Sequence, residues 1–198
     1  MPLIDIRQLS PGVRLGLWAI TEPADTPRLR ERQAVASLLT AMTGDDSLTI
    51  GHEESGKPFV CRAPRETPFV CPSSGQAPLP CAISVSHTRG YAVLMLSDRV
   101  AVGVDIEYRS DRVERIAARF IRPDEEAVTT DDKLLVWSAK EAVYKLFSEE
   151  RLALFDMRTL SIDPGLLRME NLKRKIVVDV HYEFADDYVL TYVLMPGA

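Results

Sequence analysis

The most regular pattern in this 198-residue chain is an apolar stripe at helical spacing within residues 131–148. The stripe consists of Leu135, Ala139, Ala142, Val143 and Leu146. Residues three and four apart lie on one face of a helix, so the segment predicts a helix that packs on a core. The region that follows is strand-like, mainly at 175–182 and 188–195. A mixture of strands with few helices favours the α+β class, and the chain is 46% hydrophobic, which is enough for a core.

The rest of the chain is divided by turn and cap residues. Further strands are predicted at 13–20, in short pieces within 48–60, and at 82–86, 91–97 and 100–107. Helices are predicted at 28–42, with Gly44 as the C-terminal cap, at 111–120, and from Pro123 onward. The stretch 61–80 contains five prolines, which predicts a loop that is either functional or mobile.

Bulk properties exclude several function classes. The net charge of −5 argues against a nucleic-acid binder. No stretch approaches the roughly 18 apolar residues of a membrane span, and the N-terminus does not resemble a signal peptide. We therefore expect a cytoplasmic protein that binds neither nucleic acid nor membrane.

The segment 101–107, AVGVDIE, places two acids on one side of a predicted strand. Alternation puts Gly103, Asp105 and Glu107 on the face opposite the apolar residues. Neighbouring carboxylates repel each other unless a proton or cation lies between them, and hard oxygen ligands suit Mg²⁺. Taken alone, the pattern also fits an edge strand that exposes its acids to solvent.

The segment 137–145, WSAKEAVYK, places three functional groups on one helix face. Trp137, Glu141 and Lys145 follow each other at intervals of four, on a face distinct from the apolar stripe. The glutamate could complete a metal site, and the lysine could meet a phosphate. Taken alone, the pattern also fits an ordinary glutamate–lysine pair on a solvated helix.

Together the two segments resemble the paired signature of the 4′-phosphopantetheinyl transferase superfamily, Gly-Val-Asp-Ile-Glu followed by Trp-Ser-x-Lys-Glu-Ala-x-x-Lys. Three other stretches resemble further elements of that family: Gly56-Lys57-Pro58, the strand ending in Ser86-His87, and the Arg119-Phe120 segment. Chain length favours the monomeric, two-lobed, surfactin-type branch. The resemblance implies two similar lobes related by a pseudo-twofold, with coenzyme A bound between them. We place the lobes at 1–100, including the proline-rich loop 61–80, and at 101–198.

The resemblance also implies the chemistry. Phosphopantetheine would pass from coenzyme A, the substrate, to a serine of an apo acyl or peptidyl carrier protein. Asp105, Glu107 and Glu141 would hold Mg²⁺, with Mn²⁺ as an alternative. The catalytic base would be Glu141 or a water held by Glu107, and Lys145 would stabilise the leaving group. Coenzyme A contacts are expected from Lys57, Ser86, His87, Lys145 and Arg32.

One departure from the family pattern and three rival functions remain. An arginine expected near Ala36 in the first helix is missing, and Arg28 or Arg32 would have to replace it. An acidic carrier could be met by Arg109, Arg112, Arg115, Arg119 and Arg122, although the same residues also fit an ordinary solvated charged helix. The rivals are another Mg²⁺-dependent phosphotransfer enzyme, a non-catalytic coenzyme A or carrier-binding module, and a structural domain. The sequence has no Walker loop, which argues against another phosphotransfer enzyme. A purely structural domain would leave five motif matches to coincidence.

Overall fold

A computed structural model describes residues 2–21, 26–62 and 77–195. Its contacts divide the chain into two compact units, the first running to Val102 and the second spanning Gly103–Met195. The elements of the first unit are β1 (Leu3–Ser10), β2 (Val13–Ala19), α1 (Pro27–Thr43), β3 (Leu48–His52), β4 (Pro58–Arg62), β5 (Ala82–Thr88) and β6 (Tyr91–Ser97).

The first unit packs α1 on an antiparallel sheet of order β1-β2-β6-β5, and β3 and β4 form a separate hairpin. The predicted cap is confirmed, because Gly44 has φ 71° and donates its N–H to Thr40 at 2.8 Å. Strand β1 was not predicted. Ile4 and Ile6 of β1 are exposed, so its apolar alternation points away from the core and gives no core-facing pattern.

The second unit begins within β7 (Ala101–Tyr108), which is followed by two short 3₁₀ helices, Asp111–Arg115 and Ala117–Arg119. The elements that follow are α2 (Thr130–Leu146), two further 3₁₀ turns (Ser148–Glu150 and Leu154–Asp156), β8 (Met157–Asp163), β9 (Leu166–Asn171), β10 (Ile176–Phe184) and β11 (Tyr188–Met195). The sheet order is β7-β11-β10-β9-β8, and α2 packs on β11 and β10. The mixed helix and sheet content agrees with the predicted class.

Helix α2 begins where the sequence directs it. The Thr129 side chain accepts from the Asp132 N–H, and the Asp132 side chain accepts from the Thr129 N–H, which forms a capping box. The predicted stripe is confirmed, since Leu135, Ala139 and Ala142 are buried. Among the described residues, no helix is both long and apolar enough to cross a membrane.

Three predicted boundaries were wrong. The helix expected at 111–120 is two 3₁₀ pieces, and the helix expected from Pro123 does not form. The loop expected at 61–80 starts later, because Cys61 and Arg62 belong to β4, and most of it lies outside the described residues. The absence of a helix at Pro123 has a clear cause. Glu125, one of the acids that resembled first-turn residues, is buried in an ion pair instead.

That ion pair fixes the segment between β7 and α2. Lys140 Nζ donates to Glu125 Oε2 at 2.7 Å and to the Phe120 carbonyl at 2.6 Å, and both charged side chains are 0% exposed. Glu125 also accepts the N–H groups of Arg122 and Thr159, at 2.7 and 2.6 Å. Burial lowers the pKa of Lys140, and the neighbouring Glu125 opposes that shift. The pair therefore ties α2 to residues 120–125 and to β8.

Replacing Lys140 with Met should destabilise the fold by about 3–5 kcal/mol, because Glu125 is left as an unpaired buried charge. The matched control is Lys133→Met on the same helix. Lys133 pairs with Glu114 at 2.7 Å near the surface, so its loss should cost under about 1 kcal/mol. Urea unfolding measures both. Equal free energies of unfolding for the two variants would contradict the structural role of Lys140.

Candidate functional site

The site depends on a very close approach of α2 to β7. A Cβ built on Gly103 would lie 2.1 Å from the Ala142 carbonyl oxygen and 3.1 Å from the Leu146 nitrogen. Backbone cannot yield as a flexible side chain can, so any larger residue at 103 would push the helix off the strand. Glycine is therefore required in Gly-Val-Asp because the helix lies against the strand at that point.

Two positions along β7, Asp105 directs its carboxylate at α2. Its Oδ2 accepts from Ser138 Oγ at 2.9 Å, and its Oδ1 accepts from Lys145 Nζ at 2.8 Å. Lys145 Nζ also donates to the Val104 carbonyl at 3.0 Å. Asp105 is only 4% exposed. The alternative of an edge strand that shows its acids to solvent is therefore wrong.

Glu107 lies further along the same face of β7. Its Oε1 accepts from Trp137 Nε1 at 2.8 Å, and the Trp137 ring meets Phe120 edge-on with centroids 5.1 Å apart. Burial, followed by the charge of Asp105, raises the pKa of Glu107 to about 7, and Glu141 adds to this while Trp137 and Lys145 oppose it. Glu107 is thus an acid that changes charge near neutral pH.

Glu141 is the third acid of this group, and it comes from α2. Burial and then the charge of Asp105 raise its pKa, while Lys145 lowers it. The three carboxylates therefore act on one another electrostatically. Lys145 donates to Asp105 and to the Val104 carbonyl across the helix–strand contact, so the alternative of a simple glutamate–lysine pair on one helix does not describe it.

The donor set is suited to a divalent cation. Within the described ranges, no three His, Cys, Asp or Glu side chains are already gathered as a metal centre. Asp105, Glu107 and Glu141 nevertheless offer hard oxygen atoms from facing elements, and burial and like charge penalise their joint ionisation. A cation such as Mg²⁺ would relieve that repulsion and prefers such ligands. The residues fit the ion that the sequence predicts.

The four other residues expected at the site belong to the first unit. Lys57 is half-buried in the β3–β4 turn, where its carbonyl accepts from the Glu53 N–H at 2.9 Å. Ser86 is buried on β5, and Arg32 is exposed on α1. His87 is accessible, with 47% of its side chain exposed, and its Nδ1 lies 3.6 Å from Glu31 Oε1. The structure thus brings His87 close to the acid that precedes Arg32.

Four residues had no role assigned from the sequence, and two of them, Ser138 and Thr191, belong to the acidic site. Ser138 and Lys140 were inside the quoted motif but had no role. Thr191 of β11 contacts Ser138, and its only signal was a single threonine in the aliphatic and aromatic run YVLTYVLM. Glu31 gave no signal, because nothing in the sequence placed α1 beside the end of β5.

A sequence model described as the 4′-phosphopantetheinyl transferase superfamily matches residues 101–193. The match covers β7, α2 and most of β11, and therefore all three acids and Lys145. No curated protein matches the chain. The family match is consistent with the mixed fold, and it falls on the unit that contains the acids.

The raised pKa of Glu107 predicts a specific pH dependence of stability. Between about pH 4.5 and 7 the folded state holds a proton that the unfolded state has lost, so folding stability falls as pH rises through this range. Glu107→Gln should remove that part of the decline. Urea unfolding at several pH values, with EDTA throughout, measures the wild-type-minus-variant difference.

The matched control is Glu114→Gln. Lys133 and Thr130 hold the pKa of Glu114 below its ordinary value of 4.5, so its contribution is lost only as pH falls below that value. Between pH 5 and 8 the wild-type-minus-variant difference for Glu114→Gln should therefore stay constant. A Glu107→Gln variant whose stability runs parallel to wild type from pH 5 to 8 would contradict the environment described for Glu107.

Proposed function

We propose that the chain transfers the 4′-phosphopantetheine group of coenzyme A to a serine hydroxyl of an apo acyl or peptidyl carrier protein. The observation that carries the proposal is the coupling of Asp105, Glu107 and Glu141 beside Lys145, within the segment that matches the transferase superfamily. Membership of the monomeric, two-lobed, surfactin-type branch with a pseudo-twofold is part of the same proposal.

Asp105, Glu107 and Glu141 are the residues that would hold Mg²⁺, or Mn²⁺ in its place. When bound, the ion would neutralise charge on the coenzyme A pyrophosphate and so make its phosphorus attackable. The raised pKa values of Glu107 and Glu141 support this assignment, because both follow from burial and the nearby Asp105 charge.

The proton transfer and the stabilisation of the leaving group are assigned to side chains of the protein. The serine oxygen forms a bond to the phosphorus that bears the pantetheine arm, and the bond from that phosphorus to the 3′,5′-ADP oxygen breaks. The serine proton goes to Glu141 or to a water held by Glu107. Lys145 donates to the departing phosphate, and its side chain is 25% exposed on a flexible stem.

Coenzyme A contacts are proposed for Lys57, Ser86, His87 and Arg32, together with Lys145. Arg32 is exposed near the N-terminal end of α1, where a cation could replace the arginine missing near Ala36. His87 can offer an N–H to a phosphate from an accessible position, since 47% of its side chain is exposed.

The carrier is proposed to meet the 3₁₀ segment after β7. Arg112, Arg115 and Arg119 are exposed there, which suits an acidic carrier helix. Two arginines expected to join them are engaged within the unit. Arg109 pairs with Asp131 at 2.7 Å, and Arg122 pairs with Asp124 at 2.8 Å. The proposed carrier surface is therefore narrower than the sequence suggested.

Intact-mass spectrometry of an apo carrier incubated with the protein, coenzyme A and Mg²⁺ tests the proposal. The carrier should gain one phosphopantetheine group, and EDTA should prevent the gain. Asp105→Asn and Glu141→Gln should each slow transfer by at least about 10²-fold, since each removes a negative charge proposed to hold the metal ion. Glu126→Gln, an exposed acid before α2, is the matched control and should keep wild-type rates.

The same assay, combined with calorimetric measurement of coenzyme A binding, separates the rival functions. Coenzyme A binding without any mass gain across fatty-acid, polyketide and peptide-synthetase carriers would favour a non-catalytic binding module. If the protein showed no coenzyme A binding and the carrier showed no mass gain, the assignment of the site would be overturned. Full activity in Asp105→Asn or Glu141→Gln would overturn the roles given to those acids.

Lys145→Ala should lower kcat more than it weakens coenzyme A binding, because its proposed partner is the charge that builds up on the leaving group. Single-turnover transfer gives the rate, and calorimetry gives the coenzyme A affinity. Lys133→Ala on the same helix is the control and should change neither quantity. A variant that lost affinity while keeping its single-turnover rate would place Lys145 in ground-state binding only.

A further inference from the structure

The buried hydroxyl of Ser138 lies between Asp105 and Thr191. Ser138 and Thr191 are both 0% exposed. Ser138 Oγ is 2.9 Å from Asp105 Oδ2 and 2.9 Å from Thr191 Oγ1, and Thr191 Oγ1 is 3.0 Å from the Ser138 carbonyl. Three elements, β7, α2 and β11, thus meet through two hydroxyl groups.

Counting hydrogens sets the direction of this network. A carboxylate only accepts, so the single Ser138 hydroxyl hydrogen points at Asp105. Toward Thr191 the Ser138 oxygen can then only accept, so Thr191 is the donor. The Thr191 hydrogen is shared between the Ser138 hydroxyl and carbonyl oxygens, and donation runs from Thr191 to Ser138 to Asp105.

The two oxygens of Asp105 are held in different ways. Oδ1 accepts from Lys145, whose long side chain is 25% exposed. Oδ2 accepts from Ser138, a short side chain that is fully enclosed. Thr191 is branched at Cβ and has few rotamers, so it further limits the orientation of Ser138. Ser138 and Thr191 therefore restrict the orientation of the Asp105 carboxylate more than Lys145 does.

We propose that Ser138, oriented by Thr191, is a positioning residue that fixes the Asp105 carboxylate for the metal. The proposal rests on the proposed function, since it assumes that Asp105 is a ligand. Hydrogen-bond partners of metal ligands typically contribute about 10- to 100-fold to metal affinity. Loss of the Ser138 hydroxyl should therefore weaken metal binding even though Ser138 does not contact the metal.

The experiment measures Mn²⁺ affinity in the presence of coenzyme A, without a carrier, from the electron paramagnetic resonance signal of free Mn²⁺. Four variants are compared with wild type: Ser138→Ala, Thr191→Val, the double variant Ser138→Ala/Thr191→Val, and Thr159→Val as the control. Thr159 is a buried threonine on β8, four strands from β7, and its hydroxyl has no hydrogen-bond partner among the described residues. Urea unfolding and phosphopantetheine transfer are recorded for each protein.

The expected results separate positioning from stability. Ser138→Ala should weaken Mn²⁺ binding by about tenfold or more, and Thr191→Val should weaken it by less. The double variant should bind Mn²⁺ as Ser138→Ala does, because Thr191 acts on Asp105 only through the Ser138 hydroxyl. Unfolding need not follow that pattern, since Thr191 also donates to the Ser138 carbonyl. Thr159→Val should bind Mn²⁺ as wild type does.

Other outcomes overturn the proposal in recognisable ways. Wild-type Mn²⁺ affinity in Ser138→Ala, with transfer by the wild-type protein intact, would overturn the positioning role and leave the proposed function standing. Additive losses in the double variant, or an equal loss in Thr159→Val, would mean that any buried hydroxyl matters and would overturn it too. A wild-type protein that neither binds Mn²⁺ nor transfers would overturn the proposed function, and the positioning role with it.

Discussion

The contact between the Gly103 backbone and the Ala142 carbonyl is the constraint on which the acidic site depends. With no side chain at 103, α2 lies directly against β7, and a Cβ would come within 2.1 Å of that carbonyl. At this distance the short side chain of Ser138 can reach Asp105, and Trp137 lies within hydrogen-bonding distance of Glu107. A wider gap would admit water between helix and strand, and the like charges would then be screened instead of coupled. A single glycine thereby sets both the geometry and the electrostatics of the acids.

Close packing also explains why the three carboxyl groups are harder to ionise together than exposed acids would be. Glu107 and Glu141 are largely removed from water next to Asp105, so ionising all three is unfavourable without a compensating cation. Lys145 supplies one positive charge to Asp105, and Trp137 supplies a neutral donor to Glu107. One lysine cannot balance three carboxylates. The remaining negative charge makes the cluster suited to a divalent ion.

Sequence reasoning predicted the elements whose patterns face a core. The stripe of α2, the cap at Gly44 and the strand from Ala101 each follow from local periodicity or backbone preference, and the structure has all three. It also placed Asp105 and Glu107 on one strand face. The sequence could not show that α2 covers this face of β7, because strand alternation tells which side chains share a face but not which element packs on it. The helix expected from Pro123 was wrong for a related reason. The partner of Glu125 is Lys140, fifteen positions away, and no local sequence pattern indicates that contact. Thr191 and Glu31 likewise act through contacts that only the tertiary fold creates.

The two lysines of the Trp-Ser-x-Lys-Glu-Ala-x-x-Lys segment show how one helix can hold a structural ion pair on one face and the lysine proposed for the chemistry on another. Lys140 and Lys145 each donate to a carboxylate, at 2.7 and 2.8 Å. Lys140 is wholly enclosed, and its further donation goes to the Phe120 carbonyl, so its charge is committed to the fold. Lys145 keeps a quarter of its side chain exposed on the face that carries Glu141. A lysine with solvent access can exchange one anionic partner for another at little cost, whereas an enclosed one cannot, because each lost contact would leave a buried charge unpaired. The five-residue separation turns the two side chains to different faces of α2, so the helix can be held rigidly on one side and remain available to a phosphate on the other.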